Sequence, residues 1–465
     1  MIDARRAIAV AALMLPLAPA SADTATEQEL RNLLEQQEQR IKVLERKLEI
    51  QDETAKAAVA ATPVVKASPK GMSFQSADGS NLIKFRGLLH VDGARFLNDA
   101  DLKGVDTWSL NRVRPILEGT FGGIYDWRFT PDFGRGRTVI QDAYVTGRFD
   151  PRFALTAGKF KAPVGLERLQ SASDIRFVQR AFPTSLVPNR DIGIQGSGAI
   201  IPDRLEYQVA YLNGSNDGGS SESFATPDTD PNSGKDWALR IFSTPFANSS
   251  VFGLRGFGIG LAGTTTDQTG DATNSLLPTI RSPGQQTIFK YRTGVIADGD
   301  RQRITPQLYY YRGSFGLIGE WVQVDQDLTF VTAAGTTRHD TVDTDAWQIA
   351  MSWFVTGEQN QYRGYTPLTT FTRHGQGWGA LELKARYHEF NVDDAAFAAG
   401  SNSFADPTVS VRKADAYALG FNWYLSQNIK WMFDYEHTSF KGGSALGNGD
   451  LGDEEVLFGR VQLGF

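Results

Sequence analysis

The chain has 465 residues, no cysteine and a formal net charge of -6. The missing thiols exclude disulfides, thiolate catalysis and cysteine-based metal sites, and the acidic balance argues against nucleic acid as a partner. No run of about 18 apolar residues occurs, so no transmembrane helix is expected, although barrel strands of about 9–11 alternating residues escape such a count.

Residues 1–22 read as a secretory signal. Arg5 and Arg6 supply the positive end, Ala7 to Leu17 the apolar stretch, and Ala20-Ser21-Ala22 the small-residue cleavage site. The mature protein is therefore expected outside the cytoplasm. In 27–51, Leu30, Leu34, Gln37, Ile41, Leu44 and Leu48 recur at alternating spacings of four and three, the seam of a coiled coil. About three heptads make a lone helix marginal, which points to self-association, with a homotrimer as the expected state. A monomeric helix docked on the main domain is the alternative. The organisation expected is a signal at 1–22, a periplasmic coiled-coil helix at 23–51, a linker at 52–71 and a β domain at 72–465.

From about residue 80 the pattern changes to period two. In Leu381–His388 one parity holds Leu381, Leu383, Ala385 and Tyr387, the other Glu382, Lys384, Arg386 and His388. Ala346–Thr356, Tyr417–Trp423 and Trp431–Tyr435 alternate in the same way. Full charges on the polar face, aromatics near strand ends and unequal loops favour a transmembrane antiparallel β-barrel over a soluble sandwich. Short turns at Gly122-Gly123, Arg312-Gly313-Ser314 and Ser426-Gln427-Asn428 alternate with polar loops at 213–235, 263–286, 391–412 and 440–453. About 16 strands fit. The last strand alternates Leu457, Gly459, Val461 and Leu463 and ends on Phe465, like the closing strand of bacterial outer-membrane proteins.

Several motifs fail on context. Gly258-x-Gly260-x-x-Gly263 has the dinucleotide spacing but lies in a strand with no helix after it. Asp228, Asp230 and Asn232 imitate a calcium loop, yet Ser233 and Leu239 stand where Gly and Glu are needed. The five histidines show no metal-ligand spacing. No cofactor, metal site or enzymatic activity is expected.

The stretch Thr156–Ile194 breaks the alternation. It carries Pro163, Pro183 and Pro188, and between 159 and 190 six basic residues against two acidic ones. Its many apolar residues argue for order, so it reads as a functional loop near 159–190. On the strands before it, Arg112 and Arg114 share a polar parity with Glu118; Lys84 and Arg86 share one on the preceding strand, and Arg128 falls on that of Tyr125–Phe133. Facing a lumen, such guanidinium groups would pass an anion between bidentate sites. The same residues would equally serve as a charge lattice paired with Asp and Glu.

The segment GKFKAPVGLERLQSASDIRFVQRAFPTSLVPNRDIGIQ at 158–195 resembles the third-loop region of the phosphate-selective porin O/P family. RVRPILEGTF at 112–121, QDAYVTGRF at 141–149, SWFVTGE at 352–358, WGALELKARY at 378–387 and FNWYLSQNIKWMFDY at 421–435 extend the resemblance over about 80–465. It implies a sixteen-stranded trimeric barrel in the bacterial outer membrane. The third loop would fold into the lumen, and an arginine ladder with lysines would draw anions through. Arg112 and Arg114 match the family's arginine-rich second strand, with Asn111 and Val113 in the neighbouring places. Arg86 matches the first-strand basic position, and Lys159 and Lys161 the start of the third loop. The function expected is a diffusion channel for small anions, phosphate or polyphosphate first, in contact with outer-membrane lipid. The alternatives are a porin for other solutes, or a barrel anchor whose residues 27–51 touch the cell wall or a periplasmic partner.

Overall fold

The computed structural model describes residues 24–465 apart from 99–100, 224–226, 231, 333–334, 336, 376 and 446–448. The secretory segment expected at 1–22 lies outside the described residues. The chain divides into two units, Met1–Thr62 and Pro63–Phe465.

The first unit contains one helix, α1 (Thr24–Ala61). It runs ten residues beyond the expected end at 51, because DETAKAAVAA is rich in alanine and continues the helix without a seam. The linker expected at 52–71 is thus mostly regular structure. Leu30, Leu34, Ile41, Leu44 and Leu48 are each more than half exposed, a continuous apolar stripe.

The second unit opens with a hairpin, β1 (Val64–Ser68) and β2 (Gly71–Gln75). Sixteen strands then form the barrel: β3 (Leu82–Asn98), β4 (Thr107–Phe121), β5 (Tyr125–Asp132), β6 (Val139–Asp150), β7 (Phe153–Lys161), β8 (Arg190–Ile201), β9 (Leu205–Leu212), β10 (Asp236–Ser243), β11 (Phe257–Thr269), and β14 (Val295–Arg312) through β20. Between β11 and β14 a small hairpin, β12 (Thr279–Arg281) and β13 (Thr287–Lys290), pairs only with itself. The remaining strands are β15 (Phe315–Val331), β16 (Thr337–Phe354), β17 (Ala380–Val392), β18 (Val411–Tyr424), β19 (Ile429–Gly442) and β20 (Glu454–Gly464). Each pairs antiparallel with the next, and β20 pairs with β3, Val461 opposite Val91, so the sheet closes without a free edge. Phe465 exchanges two backbone hydrogen bonds with Gly87. A Cβ at Gly87 would lie 2.5 Å from the Phe465 ring, so the final aromatic needs glycine opposite it.

The two parities sort as a membrane barrel requires. On β17, Glu382, Lys384, Arg386 and His388 are buried, while Leu383 is exposed. Outward-facing aromatics form two girdles. Trp353, Trp423 and Trp431 mark the short-turn end, and Trp347, Tyr387, Tyr417 and Tyr435 the long-loop end. Six residues separate Trp347 from Trp353, a span of ~20 Å at ~3.3 Å per residue. Ile349, Met351, Leu419 and Phe421 fill the band between the girdles. Among the described residues, no helix is long and apolar enough to cross a membrane; the strands do the crossing.

Residues 162–189 leave the wall after β7 and fold into the lumen. They contain a short helix, α2 (Leu166–Leu169), and a 3-10 turn at Phe182–Ser185. Gly165 makes the turn into α2 at φ +79°, where a Cβ would strike Val187. Val164, Leu166, Ile175, Phe177, Val178, Phe182, Leu186 and Val187 are almost wholly buried. Each contributes about 1.5–3 kcal/mol of apolar burial. Inward side chains of the wall hold the loop. Glu320 accepts the backbone N–H groups of Leu166 (2.5 Å) and Glu167 (3.1 Å), and Asp434 accepts that of Val178 at 2.7 Å. A second intrusion comes from the short-turn end, at 355–379. Asn360 and the Gln361 carbonyl accept from Arg176, and the Tyr362 hydroxyl donates to the Leu166 carbonyl. Together the two segments fill the side of the lumen lined by β15–β19.

Candidate functional site: an arginine-lined passage

The space left open lies against the other wall. A cavity of about 480 Å³ is lined by Arg112 and Arg114 of β4, Arg135 and Arg137 of the β5–β6 loop, Arg168 and Arg180 of the lumen loop, and Arg281 of β12. A second cavity, about 430 Å³, is lined by Arg114, Arg128, Lys161, Arg190 and Arg363. Arg114 borders both, and so sits where the two spaces meet.

Local structure explains how β4 delivers its cations. His90 stands opposite Arg112 but Val91 stands opposite Leu110, so Asn111 is an extra residue in the strand. The bulge lets Asn111 reach Asp92 while Arg112 still reaches His90 at 3.0 Å. Arg114 pairs with Asp132 at 2.7 Å. The β5–β6 loop is held by Asp132 as well, which accepts from the Gly134 N–H. Arg135 takes a left-handed φ of 58° and donates to Asn111 at 3.0 Å.

Pairing divides the basic residues sharply. The larger cavity is lined by seven arginines and by three carboxylates, Asp132, Asp217 and Glu222. Each carboxylate is already engaged: Asp132 by Arg114, Asp217 by Arg303 at 2.6 Å, Glu222 by Lys159 at 2.6 Å. Among the described residues, no carboxylate lies within 4.0 Å of Arg112, Arg135, Arg137, Arg168, Arg180 or Arg281. The two lumen-loop arginines at the cavity donate to carbonyls, Arg168 to that of Thr184 and Arg180 to those of Gln170 and Glu167. The buried Arg168 Nε finds no acceptor among the described residues. Burial and the neighbouring Arg180 and Arg190 push the Arg168 guanidinium down to about 9. Burial, with Arg190 and Arg114 nearby, pushes Arg180 down to about 10. Both stay protonated at neutral pH.

The expected site residues therefore fall in different places. Arg112 and Arg114 meet at the larger cavity. Arg86 is paired with Glu118 at 3.0 Å, and Arg128 with Glu118 at 3.7 Å and Asp142 at 3.5 Å, a charge lattice toward the short turns. Lys84 stands opposite Glu118 across the β3–β4 pair and borders neither cavity. Lys161 borders the smaller cavity while donating to the carbonyls of Arg168 and Gln170. Lys159 borders neither cavity, because Glu222 and Asp228, each at 2.6 Å, enclose it. That same contact disposes of the calcium-like loop, whose Asp228 binds Lys159 and whose Asp230 binds Lys235. Arg135, Arg137 and Arg281 were not singled out from the sequence. Phe133-Gly134-Arg135-Gly136-Arg137 carried a signal, since arginines alternating with glycines in a short loop place cations on a flexible backbone.

The sequence model of the family described as phosphate-selective porin O and P matches residues 83–465. No curated protein sequence matches the chain. Among solved structures, the outer membrane channel DcaP of Acinetobacter baumannii superposes with a TM-score of 0.53 at 11% identity, covering 84% of this chain and 99% of that one. OmpF of Salmonella typhi superposes with a TM-score of 0.51 at 10% identity, covering 83% of this chain and 98% of that one. These likenesses concern the barrel fold, and the family match covers the lumen loop and its arginines. The chain belongs to the phosphate-selective porin O and P family, and is an outer-membrane porin channel rather than an enzyme.

Proposed function

We propose that the protein is a passive channel for small anions, phosphate or polyphosphate first, admitted along Arg112, Arg114, Arg168 and Arg180. One observation carries this reading: among the described residues, six arginines around one cavity have no carboxylate partner, while Arg176, Arg301, Lys384 and Arg386 elsewhere in the lumen each have one. Guanidinium groups bind phosphate-like anions through paired N–H donors. Several moderate sites in series recruit an anion without trapping it, which a conducting pore requires. The unmatched Arg168 Nε and the mutual repulsion of Arg168, Arg180 and Arg190 are both relieved by an entering anion.

The test is phosphate block of chloride current through single pores of the full-length protein in planar bilayers. Phosphate is expected to reduce the wild-type current, and Arg112→Ala with Arg114→Ala to weaken that block by about a hundredfold, as loss of two charge-assisted bonds of ~1.5 kcal/mol or more each implies. Wild-type current indifferent to phosphate would refute phosphate as the solute and leave a porin for other solutes.

We further infer a homotrimer aligned by α1, with residues 1–22 removed on export and α1 in the periplasm. The exposed stripe of Leu30, Leu34, Ile41, Leu44 and Leu48 supports the association. The hairpin β1–β2, which follows α1 in the chain, joins β3 at its short-turn end, the periplasmic end in such barrels. Leu34→Asp with Leu44→Asp should convert cross-linked trimers to monomers on electrophoresis. Unchanged trimers would assign assembly to the barrel alone.

A further inference from the structure

His90 is wholly buried directly behind Arg112 of the passage. Its imidazole lies between two partners whose chemistry is fixed. Arg112 Nη1 is 3.0 Å from Nδ1, and Gln462 Oε1 is 2.9 Å from Nε2. Arginine can only donate, so Nδ1 must carry the lone pair. An amide oxygen can only accept, so Nε2 must carry the proton. The two demands agree on one neutral tautomer. The next link is fixed as well: Gln462 Nε2 donates to the Ser173 carbonyl of the lumen loop at 3.2 Å. A carbonyl accepts only, so the amide cannot turn over. Lys430 Nζ donates to that same carbonyl at 3.0 Å and anchors it.

The result is a one-way chain of donors. It runs from Arg112 to His90 on β3, from His90 to Gln462 on β20, and from Gln462 to Ser173 in the lumen loop. Among the described residues, Arg112 has no carboxylate partner, and His90 provides its one side-chain hydrogen bond. A carboxylate in place of His90 would hold the guanidinium equally well but cancel its charge. Neutral imidazole orients Arg112 and leaves its positive field and its remaining N–H donors to the passage. We propose that His90 is a positioning residue for anion selectivity. In this role it and Gln462 tie the Arg112 guanidinium to the lumen loop, so that the wall cation and the loop cations keep a fixed spacing. The inference rests on the anion-channel reading above.

The experiment is a series measured in planar bilayers on the full-length protein, with phosphate block of chloride current as the readout. Arg112→Ala is expected to weaken the block by about tenfold. His90→Leu, which fills the site without an acceptor, should weaken it by about fivefold. His90→Asn, which returns an acceptor to Arg112 and a donor to Gln462, should stay within about twofold of wild type. Should His90→Leu form no pores, Gln462→Met breaks the same chain one link away and is expected to weaken the block as well. If Arg112→Ala loses the block while His90→Leu or Gln462→Met keeps it, His90 does not position Arg112 and the inference falls alone. If His90→Asn fails as badly as His90→Leu, the residue matters for packing only, and the inference falls. If Arg112→Ala itself keeps the wild-type block, the anion reading falls and takes this inference with it.

Discussion

Strands β4 and β17 each place two cations at i and i+2 on the lumen side, Arg112 and Arg114 on one, Lys384 and Arg386 on the other. In the folded chain their surroundings diverge. Lys384 meets Asp434 at 2.6 Å and also donates to Asn422 and to the Arg176 carbonyl. Arg386 meets Glu436 at 2.8 Å and donates to the Gln179 carbonyl. Both lie fully under the lumen loop. Arg112 meets a neutral imidazole, and Arg114 shares one carboxylate with the backbone of Val113 and Gly134. The β17 cations fasten the loop, whereas the β4 cations line the open cavity. What separates them is the surrounding wall: β19, one strand beyond β18, supplies Asp434 and Glu436 level with the first pair, whereas β3 supplies a neutral His90 to Arg112 and β5 one carboxylate, Asp132, to Arg114. Lumen-facing parity is thus the same for both pairs, and only the neighbours decide which charge is left uncompensated.

This contrast can be broken most strongly on the β17 side. Arg386→Ala leaves Glu436 buried with only His388 beside it, and removing one partner of a buried pair costs about 3–5 kcal/mol. Urea unfolding of the detergent-solubilised protein should show that loss, while pores that do form keep phosphate block. A next effect is expected in the passage. Arg168→Ala combined with Arg180→Ala should weaken phosphate block by about tenfold or more. Unfolding should shift by only about 3 kcal/mol, one ordinary hydrogen bond to a carbonyl being lost at Arg168 and two at Arg180. The smallest conduction effect belongs to Lys159, which borders neither cavity. Lys159→Met should leave the block within about twofold of wild type, since its charge is already matched by Glu222 and Asp228. It should also speed proteolysis within 213–235, where those carboxylates lose their partner. A large loss of block in this variant would return Lys159 to the conduction path.

The barrel was readable because its physics is local. Period-two alternation, aromatics at strand ends and a terminal Phe465 each follow from single strands meeting lipid on one face. The inward path of 162–189 was also readable, since prolines and a run of apolar residues demanded burial without alternation. The end of α1 was misplaced because the heptad stops before the helix does, and alanine carries it on. The inward turn of 355–379 was invisible, because its anchoring contacts, Asn360 to Arg176 and Tyr362 to Leu166, join residues far apart in the chain. The site was half readable. Parity put Arg112 and Arg114 on the lumen face, but parity is identical for Lys384 and Arg386. Which cations are neutralised depends on register between strands and on where loops settle. Arg86, Arg128 and Lys159 acquired their partners that way. Arg135, Arg137 and Arg281 reached the passage from loops, where no alternation marks a facing direction.

The account's central claim is that uncompensated arginines make this passage favour anions. Reversal potential of the wild-type pore across a potassium chloride gradient tests it most directly, because that one value weighs chloride against potassium without assuming any binding site. The account predicts a potential of the sign set by chloride, diminished when Arg112, Arg168 and Arg180 are replaced together by alanine. A wild-type potential near zero, or one of the sign set by potassium, would contradict it.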